Sequence, residues 1–162
     1  MLLILSTGCQ KENDAEKNAV SPPSNFSSNI DVVFGETNMK AKLSKLSEQK
    51  YSIIILTPEI LNGMTLDYDN GICKVTYDGL TFETDLKRFP QSEIGTLLTQ
   101  ALDDSDGGLI TKTVTEDGNI QYKGITDYGD YRLIQDSETG HWKEFAVDGA
   151  SLKIIFSDFI TN

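Results

Sequence analysis

From residue 30 onward, apolar side chains recur at every second position in short runs. These are Met64, Leu66, Tyr68; Cys73, Val75, Tyr77; Leu80, Phe82; Ile120, Tyr122; Tyr131, Leu133; and Leu152, Ile154, Phe156. The positions between them are mostly Thr, Asp, Lys, Glu or Gln, the pattern of antiparallel sheet with one covered face. Asn70-Gly71, Asp78-Gly79, Asp117-Gly118 and Asp148-Gly149 punctuate the runs with pairs that supply positive φ at tight hairpins. The continuous run Ile53-Ile54-Ile55-Leu56 predicts a strand covered on both sides, or curled at a barrel edge, and stopped by Pro58. One segment changes period. Ile94, Leu97, Leu98, Ala101 and Leu102 fall at i, i+3, i+4, i+7 and i+8, a helical stripe that Pro90 suits as a start. The Asp103-Asp104-Ser105-Asp106-Gly107-Gly108 run predicts the helix end, because acidic residues oppose the macrodipole there.

The predicted order is three strands, a short helical turn at Glu59–Leu61, three strands, the helix, and five strands. The fold class is α+β, mostly β. It is a curved antiparallel sheet or incomplete β-barrel with one main amphipathic helix on its concave face.

Charge narrows the partners. The 162 residues carry 14 basic and 25 acidic side chains, a formal charge of −11. Nucleic acid and anionic headgroups are repelled by such a chain, so no nucleic-acid partner is expected. No stretch has the ~20 apolar residues that cross a bilayer as a helix. Membrane attachment is therefore expected to be covalent or peripheral.

The amino-terminal residues suggest the covalent route. Met1-Leu2-Leu3-Ile4-Leu5 is apolar, Ser6-Thr7-Gly8 is small, and Cys9 is followed abruptly by Gln10-Lys11-Glu12-Asn13-Asp14. This resembles the carboxyl end of a bacterial lipoprotein signal peptide, in which small residues let the signal peptidase close on the backbone before the lipidated cysteine. Ser6 stands where Leu is usual, no basic segment precedes the apolar one, and the apolar stretch is shorter than the ~7–15 residues of such signals. A translation start upstream of Met1 is expected on that ground. Residues 10–29 hold little besides Ala15, Ala19, Val20 and Phe26 that could enter a core, and they include Pro22-Pro23. A polar coil of this kind cannot offset its ordering entropy and would span roughly 25 Å as a tether. The expected organisation is a truncated signal peptide at 1–8, a lipidated Cys9 with its tether at 9–29, and a folded domain at 30–162. Cell-membrane localisation on the extracytoplasmic face follows, as a lipid-anchored monomer.

Candidate chemistry is sparse. Counting back from Gly107 as an EF-hand glycine gives Asp106, Asp104 and then Leu102, with Thr113 at the twelfth place, so the calcium pattern fails. His141 is the single histidine, which leaves multi-histidine zinc sites without ligands. A Cys73–His141 dyad would need a third, orienting group. Cys73 reads as a small buried hydrophobe within a strand. Glu83 and Asp85 lie two apart on one strand without an aromatic sugar platform. No Gly-rich phosphate loop or Gly-x-Ser-x-Gly elbow occurs. No catalytic residue, metal or cofactor is expected.

Four stretches carry a resemblance: Thr57-Pro58-Glu59-Ile60-Leu61-Asn62-Gly63-Met64-Thr65-Leu66, the Tyr77-Asp78-Gly79-Leu80 turn, the helix after Pro90, and the closing Leu152-Lys153-Ile154-Ile155-Phe156-Ser157-Asp158-Phe159. Together they resemble small lipoproteins of clostridial-type bacteria and, through them, the LolA/LppX-like lipoprotein-carrier superfamily. The resemblance runs from about residue 26 to 159. It implies an incomplete antiparallel barrel with helices on its concave side and, in several members, acyl chains held there. It supplies no catalytic residues. The implied function is non-enzymatic binding of a hydrophobic ligand, lipid or acyl chain, with Ile94, Leu97, Leu98 and Ala101 facing Leu66, Phe82 and Leu133 across it. The alternative is a solid-cored surface protein that binds another envelope protein through an exposed strand edge. Space between helix and sheet separates the two. For the anchor, a radiolabelled fatty acid should be incorporated into the wild-type chain in cells and lost from Cys9→Ser; label retained by the variant would refute lipidation at Cys9.

Overall fold

A computed structural model describes residues 19–85, 93–107 and 110–161. Cys9, the apolar leader, Pro90 and most of the expected tether lie outside these residues. The strands are β1 (Phe26–Phe34), β2 (Thr37–Ser47), β3 (Lys50–Thr57), β4 (Thr65–Asp69), β5 (Ile72–Tyr77), β6 (Leu80–Asp85), β7 (Thr111–Val114), β8 (Ile120–Thr126), β9 (Gly129–Gln135), β10 (Trp142–Val147) and β11 (Leu152–Thr161). A 3-10 turn at Glu59–Leu61 follows β3, and the helix α1 (Glu93–Gly107) separates β6 from β7. The predicted element order is the observed one.

All strands form one antiparallel sheet in the order β6-β5-β4-β3-β2-β1-β11-β10-β9-β8-β7. Each spatial neighbour pair is consecutive in sequence except β1 with β11, and the one consecutive pair that does not meet is β6 and β7. The sheet is curved and does not close, with β6 and β7 at its two edges. The connection that carries α1 therefore runs from one edge to the other. This is the α+β incomplete barrel that the patterning and the resemblance both imply.

Alternation fixes the inner face. Ile30 and Val32, Ala41 and Leu43, Ile120 and Tyr122, and Leu152 and Ile154 are all buried at spacings of two. The run at 53–56 obeys the same rule: Ile53 and Ile55 are buried while Ile54 and Leu56 are exposed. That strand is covered on one side only, contrary to the expectation from its continuous apolarity. Asn70 and Asp78 adopt φ of 48° before Gly71 and Gly79 at 82° and 76°, as tight hairpins require. At Asp148-Gly149 the expected hairpin is instead a 3-10 turn, Asp148–Ala150, closed by a left-handed Ser151.

Two other boundaries differ from expectation. Folded structure begins before residue 30. Phe26 is fully buried at the start of β1 and stacks on Phe159 at 4.6 Å, because β1 is paired along both sides from its first residue. Farther back, the amide of Val20 donates to Ser137 O (2.9 Å) and the side-chain amide of Gln135 donates to Val20 O (2.9 Å). The tether is thus fastened to the β9–β10 connection.

The helix also runs on through its acidic end to Gly107. Leu97, Leu98, Ala101 and Leu102 are buried, and each leucine contributes roughly 1.5–3 kcal/mol by leaving water. The carboxylates that oppose the macrodipole are held by the sheet. Asp103 accepts from the Tyr51 hydroxyl (2.5 Å), Asp104 from the Tyr131 hydroxyl (3.2 Å), and Asp106 pairs with the Lys45 ammonium (2.9 Å). Lys45 is only 5% exposed at its side chain and lies 5.7 Å over the Tyr51 ring. Asp106→Ala leaves that ammonium without its carboxylate and should lower unfolding free energy by about 1–3 kcal/mol, whereas Lys45→Met should cost under about 1 kcal/mol. Urea denaturation of both variants checks the asymmetry, and equal losses would contradict it.

Candidate ligand cavity

The sheet is not filled evenly. Helix α1 packs on β8 and β9, and aromatic pairs fill that half: Tyr122 against Trp142 at 5.5 Å and Tyr131 against Phe145 at 5.9 Å. Over the other half, between the helix start and β3–β6, a cavity of about 460 Å³ remains. That size is within the usual range for small-molecule sites.

Its floor is the inner face of the first strands: Ile30, Val32 and Met39 from β1 and β2, Ile53 and Ile55 from β3, Leu66 and Tyr68 from β4, and Val75 and Tyr77 from β5. Ile154 of β11 closes one side, and Ile94, Gly95 and Leu98 of α1 form the wall opposite. Leu61, Met64, Leu80 and Phe82 complete the lining toward solvent. No charged side chain faces it among the described residues. The two polar atoms within reach are phenol hydroxyls, and both are engaged. Tyr77 donates to the carbonyl of Ile60, and the buried Tyr68 stands opposite Cys73 on the neighbouring strand. Burial and the adjacent Cys73 hold the Tyr68 phenol well above its usual range, and burial likewise pushes the Cys73 thiol up. Neither group ionises near neutral pH, so the interior stays uncharged.

Of the residues expected to face a ligand, the structure brings Leu66, Phe82, Ile94 and Leu98 together around this space. Leu97, Ala101 and Leu133 do not line it. They are buried in the core at 8%, 1% and 0% exposure: the helix turns Leu97 and Ala101 into the filled half, to which Leu133 of β9 belongs. Pattern reading finds the helix stripe but cannot divide it between two halves of one sheet. The larger omission is β3 and β5, whose inward Ile53, Ile55 and Val75 read from the sequence only as core positions. Cys73 is buried and unpaired with another cysteine, as its strand position suggests. His141 sits on the β9–β10 connection, stacked on Phe159 at 4.3 Å. The structure does not unite Cys73 with His141. No group of three potential metal ligands occurs among the described residues.

No family model matches the chain, and no curated protein matches it. Solved structures do. An uncharacterised conserved protein from Thermus thermophilus aligns at a TM-score of 0.57 and 11% identity, over 91% of this chain and 83% of that one. The two share a fold. A LolA superfamily protein from Nitrosomonas europaea aligns at 0.46 and 10% identity, over 92% and 91%. A chain from the complex of the CwlD amidase with the GerS lipoprotein of Clostridioides difficile aligns at 0.44 and 13%, over 100% and 96%. These last two are weaker likenesses than the first.

Gly95 is the residue on which the cavity wall turns. A Cβ there would collide with the Tyr68 hydroxyl and ring. Gly→Ala inside a helix ordinarily stabilises by about 1 kcal/mol. Here Gly95→Ala should instead destabilise by about 1–3 kcal/mol, the usual range for overpacking. Combining it with Tyr68→Ala should remove most of the added penalty in a double-mutant cycle followed by chemical denaturation; simple additivity would contradict the contact.

Proposed function

We propose that the protein is a membrane-anchored, extracytoplasmic and non-enzymatic carrier or binding module that holds a hydrophobic ligand, such as a lipid or acyl chain, in the cavity beside α1. The observation that carries the reading is the cavity itself. An uncharged, apolar space of about 460 Å³ is left beside a well-filled half of the same sheet. Apolar surface held open to water is unfavourable by roughly 25 cal/mol per Å², so an apolar occupant is strongly favoured there. The lipoprotein-like residues around Cys9 support the anchored placement, and the resemblance of residues 26–159 to lipoprotein carriers agrees with the ligand class. The sheet's free edges β6 and β7 would suit the alternative, a solid-cored partner-binding protein, but that reading has no use for the cavity.

Native mass spectrometry after gentle purification should find lipid-sized adducts, or uptake of added fatty acids and lysolipids. Leu66→Trp, which places a large side chain into the space from a half-buried position, should reduce uptake several-fold while leaving the circular dichroism unchanged. A wild-type protein that neither carries nor takes up any of these molecules would sink the proposal.

A further inference from the structure

The cavity is uncharged inside, but its lip is not neutral. Leu80 and Phe82 on the edge strand β6 are 75% and 49% exposed, so the lining reaches solvent there. Leu80 follows the Asp78-Gly79 turn, and Tyr77 ahead of that turn donates to the carbonyl of Ile60. This bond ties the β5–β6 hairpin to the 3-10 turn. Glu59 and Asp78, both exposed, therefore flank the same lip, next to the lining residues Leu61, Tyr77 and Leu80.

The surroundings reinforce the sign. Five connections lie at this end of the sheet, and each carries an exposed acid and no Lys or Arg: Glu36, Glu59, Asp78, Asp127 and Asp148. Several cations of the adjoining strands are held in ion pairs, Lys153 with Glu144 at 3.0 Å among them. Lys40 pairs with Asp31 at 3.2 Å, and Arg132 pairs with Asp148 at 2.9 Å and Glu144 at 3.3 Å. Among the described residues, the charges beside the lip are the Glu59 and Asp78 carboxylates, which repel an anionic headgroup and attract a cationic one. The start of α1, where a helix dipole favours anions, lies on the opposite wall at Ile94 and Gly95.

We propose that the cavity selects amphiphiles whose headgroup carries a positive charge, with the hydrocarbon inside and an ammonium-type head at Glu59 and Asp78. This rests on the hydrophobic-ligand reading above and narrows it. A fatty-acid anion entering the same way would set its carboxylate against two others.

Titration calorimetry with dodecyltrimethylammonium and with dodecanoate, each below its micelle concentration, tests the selection. The cation should bind roughly tenfold tighter at ~10 mM salt, and the gap should shrink to about twofold at ~150 mM as the Debye length shortens. Glu59→Gln combined with Asp78→Asn should abolish the preference while retaining the affinity for hydrocarbon. Both sites are exposed, and Asn accepts the left-handed φ of 48° at position 78. Equal binding of the two amphiphiles by the wild type, tighter binding of dodecanoate, or a preference unmoved in the double variant overturns the charge selection but leaves a hydrophobic carrier standing. Binding of neither amphiphile overturns both.

Discussion

The pairing of β1 with β11 is the constraint on which the rest depends. It sets Phe26 opposite Thr161 and Phe34 opposite Leu152, joining the two ends of the folded chain into the middle of one sheet. Every other neighbour pair is a local hairpin. Without this seam the chain would form two separate meanders, each with one apolar face and no partner for it. With the seam, the two meanders become a single trough, and the helix between them has one concave surface to settle on. The non-local contacts at the seam bring together residues far apart in sequence, so loop-closure entropy must be met before they form. The stacked Phe26 and Phe159 rings add apolar burial where that closure occurs.

Much of this was legible in the residues. Strand positions, hairpin dipeptides, the Glu59–Leu61 turn and the helix stripe are written in local periodicity, which a single sequence displays directly. What escaped was of another kind. The helix end could not be read, because Asp103, Asp104 and Asp106 disfavour a helix terminus until Tyr51, Tyr131 and Lys45 arrive from distant strands to bind them. The one-sided covering of β3 escaped for a similar reason: Ile54 and Leu56 look like core residues by type and are surface residues by position. The cavity was half legible. Leu66, Phe82, Ile94 and Leu98 were identifiable as inward-facing, but nothing in the pattern says that Leu97 and Ala101 turn toward a packed region while Leu98 borders a vacant one.

The helix occupies a divided position, and its two faces of contact differ in character. Toward β8 and β9 it is held by close packing. Toward β2 and β3 it is held at its carboxyl end by polar links, while its amino end borders open space. Gly95 permits this by letting Tyr68 approach the helix axis, so one missing side chain sets how near the helix start comes to β4. The hollow is therefore not a defect of composition. It follows from a helix too short to cover the whole trough and fastened to one side of it.

The fastening of Val20 to Gln135 and Ser137 has a mechanical meaning. Gln135 is itself buried and held by Tyr122 at 2.8 Å, so the clasp is rooted in the filled half of the sheet. Tension on the preceding residues would arrive first at a few hydrogen bonds on the β9–β10 connection, and reach β1 only after they part. Strand β1, bonded along both sides, would then be loaded in shear across two ladders at once rather than unzipped one bond at a time. The clasp works as a weak fuse ahead of a strong joint. A chain pulled from its amino terminus would lengthen by a short run of residues before the sheet carried any load.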